Sequence, residues 1–399
     1  MQLSKCNNIV DLRARARTQL PEPVFHYLDG GSDDEISLRR NTQAFDDYEL
    51  LPTQLSDVSR LATGSRLFGR DLDWPVMLSP TGASRLFHAD GEPAVARQAA
   101  KFGMLYSLST LGTTSIEDAA VAADCPKMFQ VYMFNDRGMT ENFVERCKAS
   151  DYAALCLTVD TPVAGNRERD FVYGFAQGPN SPSPRSRVRQ ITSFLKHPGW
   201  LRRAVLGDDL EMVNITSNRA YEADVNRSIR EFIDTELQRS LTWKDVDWLA
   251  TRWGGPLVVK GVQTVEDCRK AADAGATAVM ISNHGGRQLE SSPAPVDCIA
   301  AIADALRDRL EIICDGGIRR GNHIVKALAL GANACSIGRA YLYGLAAGGE
   351  AGVGRALGLL RAEFDRTLAL AGCNAVDKLG RRYVQRRAGV RISDGVNDS

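Results

Sequence analysis

From about residue 75 onward the chain alternates short apolar runs with stretches whose apolar positions recur at helical spacing. The runs are PVMLSP near residue 77, MLYSLST near 106, MFQVYM near 129 and AALCLTVD near 157. After a long gap come PLVVKG near 258, TAVMISN near 280, EIICDGG near 313 and ACSIG near 336. Short continuous runs of this kind predict strands buried on both faces. Between them, Glu92–Phe102 has the helical period and stops at Gly103. Ser115–Ala123 opens on SIED, the pattern of a capping box, while Thr264–Ala274 and Asn322–Leu330 end at Gly275 and Gly331. Eight strand–helix units with right-handed crossovers predict an α/β fold, the TIM (β/α)8 barrel. An open doubly wound sheet is the alternative, and eight regular units favour closure.

Two parts lie outside this pattern. Residues 1–65 read as an N-terminal helical segment capping the barrel, with helices over Ile9–Gln19 and Glu22–Leu28. The barrel itself is expected over 66–375, interrupted after the fourth strand by an insertion at 171–240, and followed by a tail at 376–399 that is polar and loosely ordered beyond about 385. A gap of roughly 95 residues between strands 4 and 5, on the side where barrels place their chemistry, is expected to cover the site or serve it otherwise.

Composition narrows the function classes. The 399 residues are 44% hydrophobic and 25% charged, which excludes wholesale disorder. Lys+Arg and Asp+Glu are 49 each, so net charge is zero and a dedicated nucleic-acid binder is disfavoured. No apolar run is long enough to span a bilayer, and MQLSKCNNIVDLRARAR has no signal-peptide core, so a cytoplasmic protein is expected. The nine cysteines are scattered with no CxxC, which argues against a disulfide framework or a zinc site; Cys156, Cys314 and Cys335 sit in apolar runs as small core residues. HExxH, a Walker loop and GxSxG are absent, and GVGRALG at 352–358 lies in a helical stretch without a preceding strand.

Barrel chemistry sits at the C-terminal strand ends. Those ends carry Ser79-Pro80-Thr81-Gly82, Ser109-Thr110-Leu111, Gln130 with Tyr132, Thr158-Val159-Asp160 followed by Arg167, Lys260, Ser282-Asn283-His284-Gly285-Gly286-Arg287, Asp315-Gly316-Gly317 and Gly338-Arg339. DGGIRRG and IGR occupy the strands where barrels commonly bind phosphate, with glycines admitting backbone N–H groups to the anion and Arg339 able to clamp it. The plainer reading is that Gly316 and Gly317 make a tight turn. His284 is the best acid–base candidate, with Asp160 to orient it and Arg287 as a fork for a substrate carboxylate. Lys260 ends a buried strand and needs an anion, either a cofactor or Asp160 or Asp315. Tyr27 and Tyr132 read equally well as core aromatics.

SNHGGRQL, DGGIRRG with KALALGA, IGRAYLYGLAAGGEAGV, TVDTPVAGNRERD and FQVY together resemble the FMN-dependent α-hydroxy acid dehydrogenase and oxidase family, over about residues 8–385. PTGASRLFHADGE, SLSTLGTTSIED and PVAGNRERD are most similar to its bacterial quinone-linked L-lactate dehydrogenase branch. The resemblance implies a (β/α)8 barrel with FMN at its C-terminal face. It implies that His284 is the active-site base with Asp160 as partner, that Arg287 and Tyr27 hold the substrate carboxylate, that Tyr132 bonds the substrate oxygen, and that Arg167 is a second active-site arginine. Lys260 would sit beside flavin N1 and O2. Ser109, Gln130, Thr158 and Ser282, with the backbone of Pro80, Thr81 and Gly82, would contact the ring and ribityl chain. Asp315, Gly316, Gly317, Arg319, Gly338 and Arg339 would form the ribityl-phosphate site. Leu111 stands where the glycolate-oxidase branch has Trp, and Gly82 where it has Ala, and both substitutions are expected to open space beside the substrate Cα.

The implied reaction is oxidation of an L-2-hydroxy acid, L-lactate foremost, to the 2-oxo acid, by hydride or carbanion transfer, with electrons passed to quinone or another carrier. The alternatives are an O2-using oxidase that releases peroxide, a mandelate-type dehydrogenase and, remotely, a non-catalytic FMN-binding adaptor. With no heme domain ahead of the barrel, a flavocytochrome is not expected; a homotetramer is implied by resemblance alone. Residues 171–207 contain no acidic residue but hold Arg185, Arg187, Arg189, Lys196, Arg202 and Arg203, interleaved with Ile191, Phe194, Leu195, Trp200, Leu201, Val205 and Leu206. Such a basic amphipathic stretch suits peripheral contact of 181–207 with the inner face of the cytoplasmic membrane, and equally a solvated or subunit-contacting lid.

Overall fold

The computed structural model describes residues 2–175, 184–206, 210–217 and 235–387. Its centre is a closed barrel of eight parallel strands: β1 Val76–Thr81, β2 Leu105–Ser109, β3 Lys127–Val131, β4 Ala154–Thr158, β5 Leu257–Val262, β6 Ala278–Ile281, β7 Glu311–Asp315 and β8 Ala334–Ile337. All eight predicted runs are strands, and closure by β8 against β1 rules out the open sheet. The barrel interior is packed with Met77, Leu105, Met128, Cys156, Val258, Met280 and Ile313. A hairpin of Ser65–Leu67 and Arg70–Leu72 adds Leu67, Phe68 and Leu72 to this cluster and plugs its N-terminal end; the sequence pattern did not reveal it.

The predicted helices form at Gly91–Lys101, Ile116–Ala122, Val265–Asp273 and Gly321–Ala329. The cap at SIED is only half of a capping box. Ser115 Oγ accepts from the Asp118 N–H at 2.9 Å, but the Asp118 carboxylate takes the Ser115 hydroxyl in return. The full reciprocal box occurs instead at Thr242 and Asp245, opening Trp243–Trp253, the helix that leads back into β5.

The N-terminal segment contributes Ile9–Gln19, Glu22–Asp29 and Ile36–Gln43, and shares one apolar core with the barrel through Ile9, Leu12, Ala16 and Phe25. The chain beyond 376 is folded as far as 387: Val384–Arg386 pairs antiparallel with Tyr48–Leu50, tying the two ends together. Of the insertion, Pro184–Leu195, Pro198–Leu206 and Val213–Thr216 are helical. Phe194 and Trp200 pack inward, with Trp200 Nε1 donating to the Leu86 carbonyl at 2.8 Å, whereas Ile191 and Leu195 face outward. The side chains of 181–189 and 203–207 lie outside the described residues. Among the described residues, no helix is long and apolar enough to cross a membrane.

Candidate active site

The strand ends are irregular where the ionisable groups gather. The β5–β6 register slips between Lys260 and Val262, around Gly261 at φ 104°. A Cβ at Gly261 would lie 2.6 Å from Asp160 Cβ, so only glycine lets Asp160 cross the end of β5. Three residues past β6, His284, Gly285 and Gly286 adopt φ of 57°, 67° and 72° in succession. For histidine that backbone costs roughly 1–3 kcal/mol, a strain concentrated at functional sites. The Gly286 N–H to Asn283 O and the His284 N–H to Ser282 Oγ, each at 3.0 Å, hold the turn.

The turn aims the His284 ring at Asp160, with Nδ1 3.0 Å from Oδ1. Burial pushes His284 below its ordinary value, the Asp160 charge opposes this, and the Lys260 charge adds to it; the net shift is downward. Burial would raise Asp160, but the charges of His284 and Lys260 hold it below the usual carboxylate range. The pair at pH 7 is therefore a carboxylate accepting Nδ1–H from a neutral imidazole, which leaves Nε2 as a base. Lys260 stands 3.1 Å from Ser282 Oγ and 3.4 Å from Asp315 Oδ2. Burial alone would depress it, but the Asp315 and Asp160 carboxylates keep it above its ordinary value, so it is charged. Asp315 is one of the two partners considered for Lys260 in the absence of a cofactor. Asp315 also accepts from the hydroxyls of Ser282, at 2.8 Å, and Ser79. Burial raises Tyr132 well above its ordinary range, so its hydroxyl stays a donor.

The arginines are unbalanced. Arg287 Nη1 donates to the carbonyls of Tyr27 and Gly30 at 2.8 and 3.0 Å, and the Arg287 and Arg167 guanidiniums lie 5.1 and 5.5 Å from the Tyr27 ring centre. Arg167 pairs with Asp170 at 2.9 Å, but among the described residues no carboxylate pairs with Arg287, Arg319 or Arg339. Burial, then Arg167 and Arg339, push Arg287 down to about 9. Because a guanidinium keeps its proton in proteins, this depression expresses how strongly the spot favours an added anion.

Arg339 corrects one expectation. Its guanidinium is no open phosphate clamp: Nε, Nη1 and Nη2 donate to the carbonyls of Leu28, Gly285 and Gly30 at 3.2, 2.9 and 2.9 Å. Its backbone instead begins a helix, the first part of Arg339–Leu370, which is broken at Gly348 and Gly349; the first turn of a helix offers unpaired backbone N–H groups suited to an anion. Gly316 and Gly317, at φ 129° and 75°, do make a tight turn, and a Cβ on Gly317 would lie 1.8 Å from the Asn41 carbonyl oxygen. The glycines therefore seat the N-terminal segment as well as bordering the site. A second correction concerns Gly82. A Cβ there would meet Leu111 Cβ at 3.0 Å, so Leu111 fills the room that glycine leaves and the two do not open space independently.

One cleft, about 1120 Å³ including its open mouth, brings together Tyr27, Tyr132, Arg167, Lys260, His284 and Arg287. Pro80, Thr81, Gly82, Ser109, Asp315, Gly316, Gly317, Arg319, Gly338 and Arg339 line it too. Asp160, Gln130, Thr158 and Ser282 do not line it; Asp160 and Ser282 reach it through His284 and Lys260, and Thr158 borders the adjoining groove. Sequence reasoning missed Phe87, Met212 and Ser336 as lining residues. Ser336 stands inside the ACSIG run, one residue before the strand ends, and could have been read off; Phe87 and Met212 lie in irregular chain that carries no periodic signal. Gln130 Nε2 and Thr158 Oγ1 are buried without a partner, although Gln130 Oε1 accepts from Ser109 Oγ at 2.7 Å. Unspent donors are rare inside proteins. With Lys260, Arg319 and the helix N-terminus, they suit a polar ring with an anionic tail, so the residues present fit FMN.

A barrel mouth with a poised base, an arginine cluster short of an anion and room for a larger anionic group defines a cofactor-using (β/α)8 enzyme. The FMN-dependent dehydrogenase family matches residues 16–386, and the chain belongs to that family. An L-lactate dehydrogenase of Xanthomonas campestris is 39% identical over 370 residues, 92% of this chain and 94% of its own. Among solved structures, the monotopic membrane protein (S)-mandelate dehydrogenase superposes with a TM-score of 0.87 at 35% identity, covering 96% of this chain and 100% of its own. A mandelate oxidase variant with (S)-mandelic acid superposes at 0.81 with 32% identity, covering 97% and 100%.

Proposed function

We propose that this protein oxidises an L-2-hydroxy acid, L-lactate foremost, to the 2-oxo acid and passes the electrons to quinone or another carrier. The single observation that carries this reading is that the neutral His284, paired to Asp160, and the carboxylate-seeking Arg287 face the same cleft. Arg287, with Tyr27 and Arg167, holds the substrate carboxylate and so fixes the orientation of Cα. His284 Nε2 takes a proton from the substrate, and Asp160 stabilises the imidazolium that results. The Tyr132 hydroxyl bonds the substrate oxygen. Lys260, kept charged by Asp315, supplies positive charge where negative charge builds up, and Ser109, Gln130, Thr158, Arg319 and the Gly338–Arg339 helix start hold the cofactor. FMN, when bound, supplies the two-electron acceptor.

The test is anaerobic bleaching of the flavin absorbance with L-lactate, L-mandelate and glycolate in turn, followed by air. Fast bleaching by one acid and slow reoxidation is the expected result. Fast reoxidation with stoichiometric peroxide would replace the dehydrogenase by the oxidase reading, which the mandelate oxidase likeness supports. No bleaching by any acid, with FMN bound, would overturn the assignment. Peripheral membrane contact is favoured by Ile191 and Leu195, which are 59% and 63% exposed beside the exposed Lys196. Co-sedimentation with anionic vesicles that persists in an I191E/L195E variant would refute it.

A further inference from the structure

The insertion between β4 and β5 returns to the barrel mouth at 210–217, and its attachment there is built rather than incidental. Asn214 is fully buried and both ends of its amide are used: Nδ2 donates to the Thr114 carbonyl at 2.9 Å, and Oδ1 accepts from the Ile116 N–H at 3.1 Å and Arg146 Nη2 at 3.3 Å. Ile215 beside it is completely buried. The β2 end that receives this clasp is itself fixed by Glu92, 1% exposed, which accepts from the N–H groups of Ser84 and Thr113 at 3.0 and 2.9 Å and from the Thr114 hydroxyl at 3.1 Å. Two residues ahead of Asn214, at the N-cap of the short helix Val213–Thr216, is Met212. Its carbonyl accepts the N–H groups of Ile215 and Thr216 at 2.8 and 3.1 Å, and its half-buried side chain lines the active cleft.

We infer that Met212 sets the length of the substrate side chain that the site accepts. The inference deepens the hydroxy-acid reading and rests on it. A 2-hydroxy acid anchored by its carboxylate at Arg287, with Cα presented to His284, must send its remaining substituent to an apolar wall of the cleft, whose apolar lining includes Phe87, Leu111 and Met212. Leu111 is braced against Gly82, with the Ala83 N–H donating to the Leu111 carbonyl at 2.8 Å, so that part of the wall is set by the barrel. Met212 differs in kind: an unbranched thioether side chain with three rotatable bonds, carried in from outside the barrel on a fixed backbone. Such a wall adapts to straight apolar chains and ends where the sulfur and methyl group end.

The experiment is a chain-length profile on the FMN-loaded protein with L-lactate and the straight-chain L-2-hydroxy acids from four to eight carbons, for wild type, Met212→Ala and Met212→Phe. Each methylene that gains a buried place is worth about fourfold in kcat/KM. Met212→Ala is expected to raise the ratio of eight-carbon to three-carbon kcat/KM by about tenfold or more, and Met212→Phe to lower it comparably. A readout without turnover accompanies it: calorimetric Kd values for the matching 2-oxo acids should shift with the same length dependence. Equal scaling of all acids in both variants, or reduced FMN retention with an unmoved profile, would overturn the role of Met212 while leaving the hydroxy-acid reading intact. Failure of the wild type to turn over any 2-hydroxy acid would overturn both.

Discussion

Replacing Asp160 with Asn tests the base assignment most directly, because it removes a charge and keeps the shape. In the resting pair Asp160 Oδ1 accepts from His284 Nδ1 at 3.0 Å, and an amide oxygen can accept the same bond. The ground state is then little changed. The difference arises when His284 takes the substrate proton: an imidazolium facing a carboxylate becomes an imidazolium facing an amide, with the Lys260 charge still close by. Two unit charges about 4 Å apart at an effective dielectric of about 20 interact by about 4 kcal/mol. The half-open position of His284, whose side chain is 25% exposed, trims this by screening. A loss of about 3–4 kcal/mol from the transition state is a fall of about 10²–10³-fold in the rate of flavin reduction. The assay is anaerobic stopped-flow bleaching at saturating L-lactate, with FMN content matched to wild type. A pH signature accompanies the rate. The base must be neutral, so kcat/KM falls as pH drops through the His284 pKa; Asp160 raises that pKa, and without it the acid limb moves to lower pH. A loss smaller than about fivefold with the acid limb unmoved would refute the pairing of Asp160 with a proton-accepting His284.

Three further perturbations follow from the same geometry. Arg287→Lys removes the fork and the two carbonyl bonds that hold it, and steady-state kinetics should show KM raised and kcat/KM lowered by about 10–100-fold; an unchanged KM would release Arg287 from carboxylate binding. Gly317→Ala puts a Cβ against the Asn41 carbonyl at a left-handed φ of 75°, so thermal unfolding should show a loss of more than about 2 kcal/mol, and an unchanged Tm would mean that Asn41 moves away freely. His26, stacked on Tyr173 at 3.6 Å, is pushed down to about 4, mainly by burial. It is neutral when folded but protonates near 6.5 when unfolded, so stability is full above pH 6.5 and falls by up to about 3 kcal/mol as pH drops to about 4. His323, pushed down to about 3, adds to the same slope, so denaturant titrations of His26→Phe should show the slope reduced but not abolished.

Much of the barrel was legible because parallel barrel strands are buried on both faces, so each appears as an apolar run that ends where the chemistry begins. The same logic made the site readable across 124 residues of sequence: Asp160 and His284 each follow a strand end, β4 and β6, and Gly261 at the end of the intervening β5 lets Asp160 reach across to His284. Interactions made by backbone leave no trace in residue types. Three donors of Arg339 go to carbonyls, which every residue possesses, so its side chain read as a phosphate clamp. Gly82 read as open space because the Leu111 side chain that fills it comes from another strand. Trp200 read as an interfacial aromatic, yet its indole N–H bonds the Leu86 carbonyl. Met212 sits in chain without periodicity, and only the Asn214 clasp shows why it is placed where it is.

Arg339 also explains why the N-terminal segment belongs to the site although it lies outside the barrel. Its backbone begins a helix at the mouth of the cleft, and its side chain holds the carbonyls of Leu28 and Gly30 at the C-terminal end of the helix that carries Tyr27. Between those two carbonyls, Asp29 accepts from Arg13 Nη2 at 2.6 Å, from the Tyr343 hydroxyl at 2.8 Å and from Arg169 at 3.0 Å. These four residues come from the first helix, the second helix, the short helix Glu168–Val172 after β4 and the helix that starts at Arg339, so four segments outside the barrel strands are tied at one buried carboxylate two residues from Tyr27. Burial would raise Asp29, and the two guanidiniums hold it below the usual range. A carboxylate locked by two arginines and a tyrosine loses several kcal/mol when its partners are removed, which makes this knot a rigid support rather than a hinge. The barrel thus fixes the base, while elements from outside the barrel fix Tyr27 and, through the Tyr27 and Gly30 carbonyls, the orientation of Arg287.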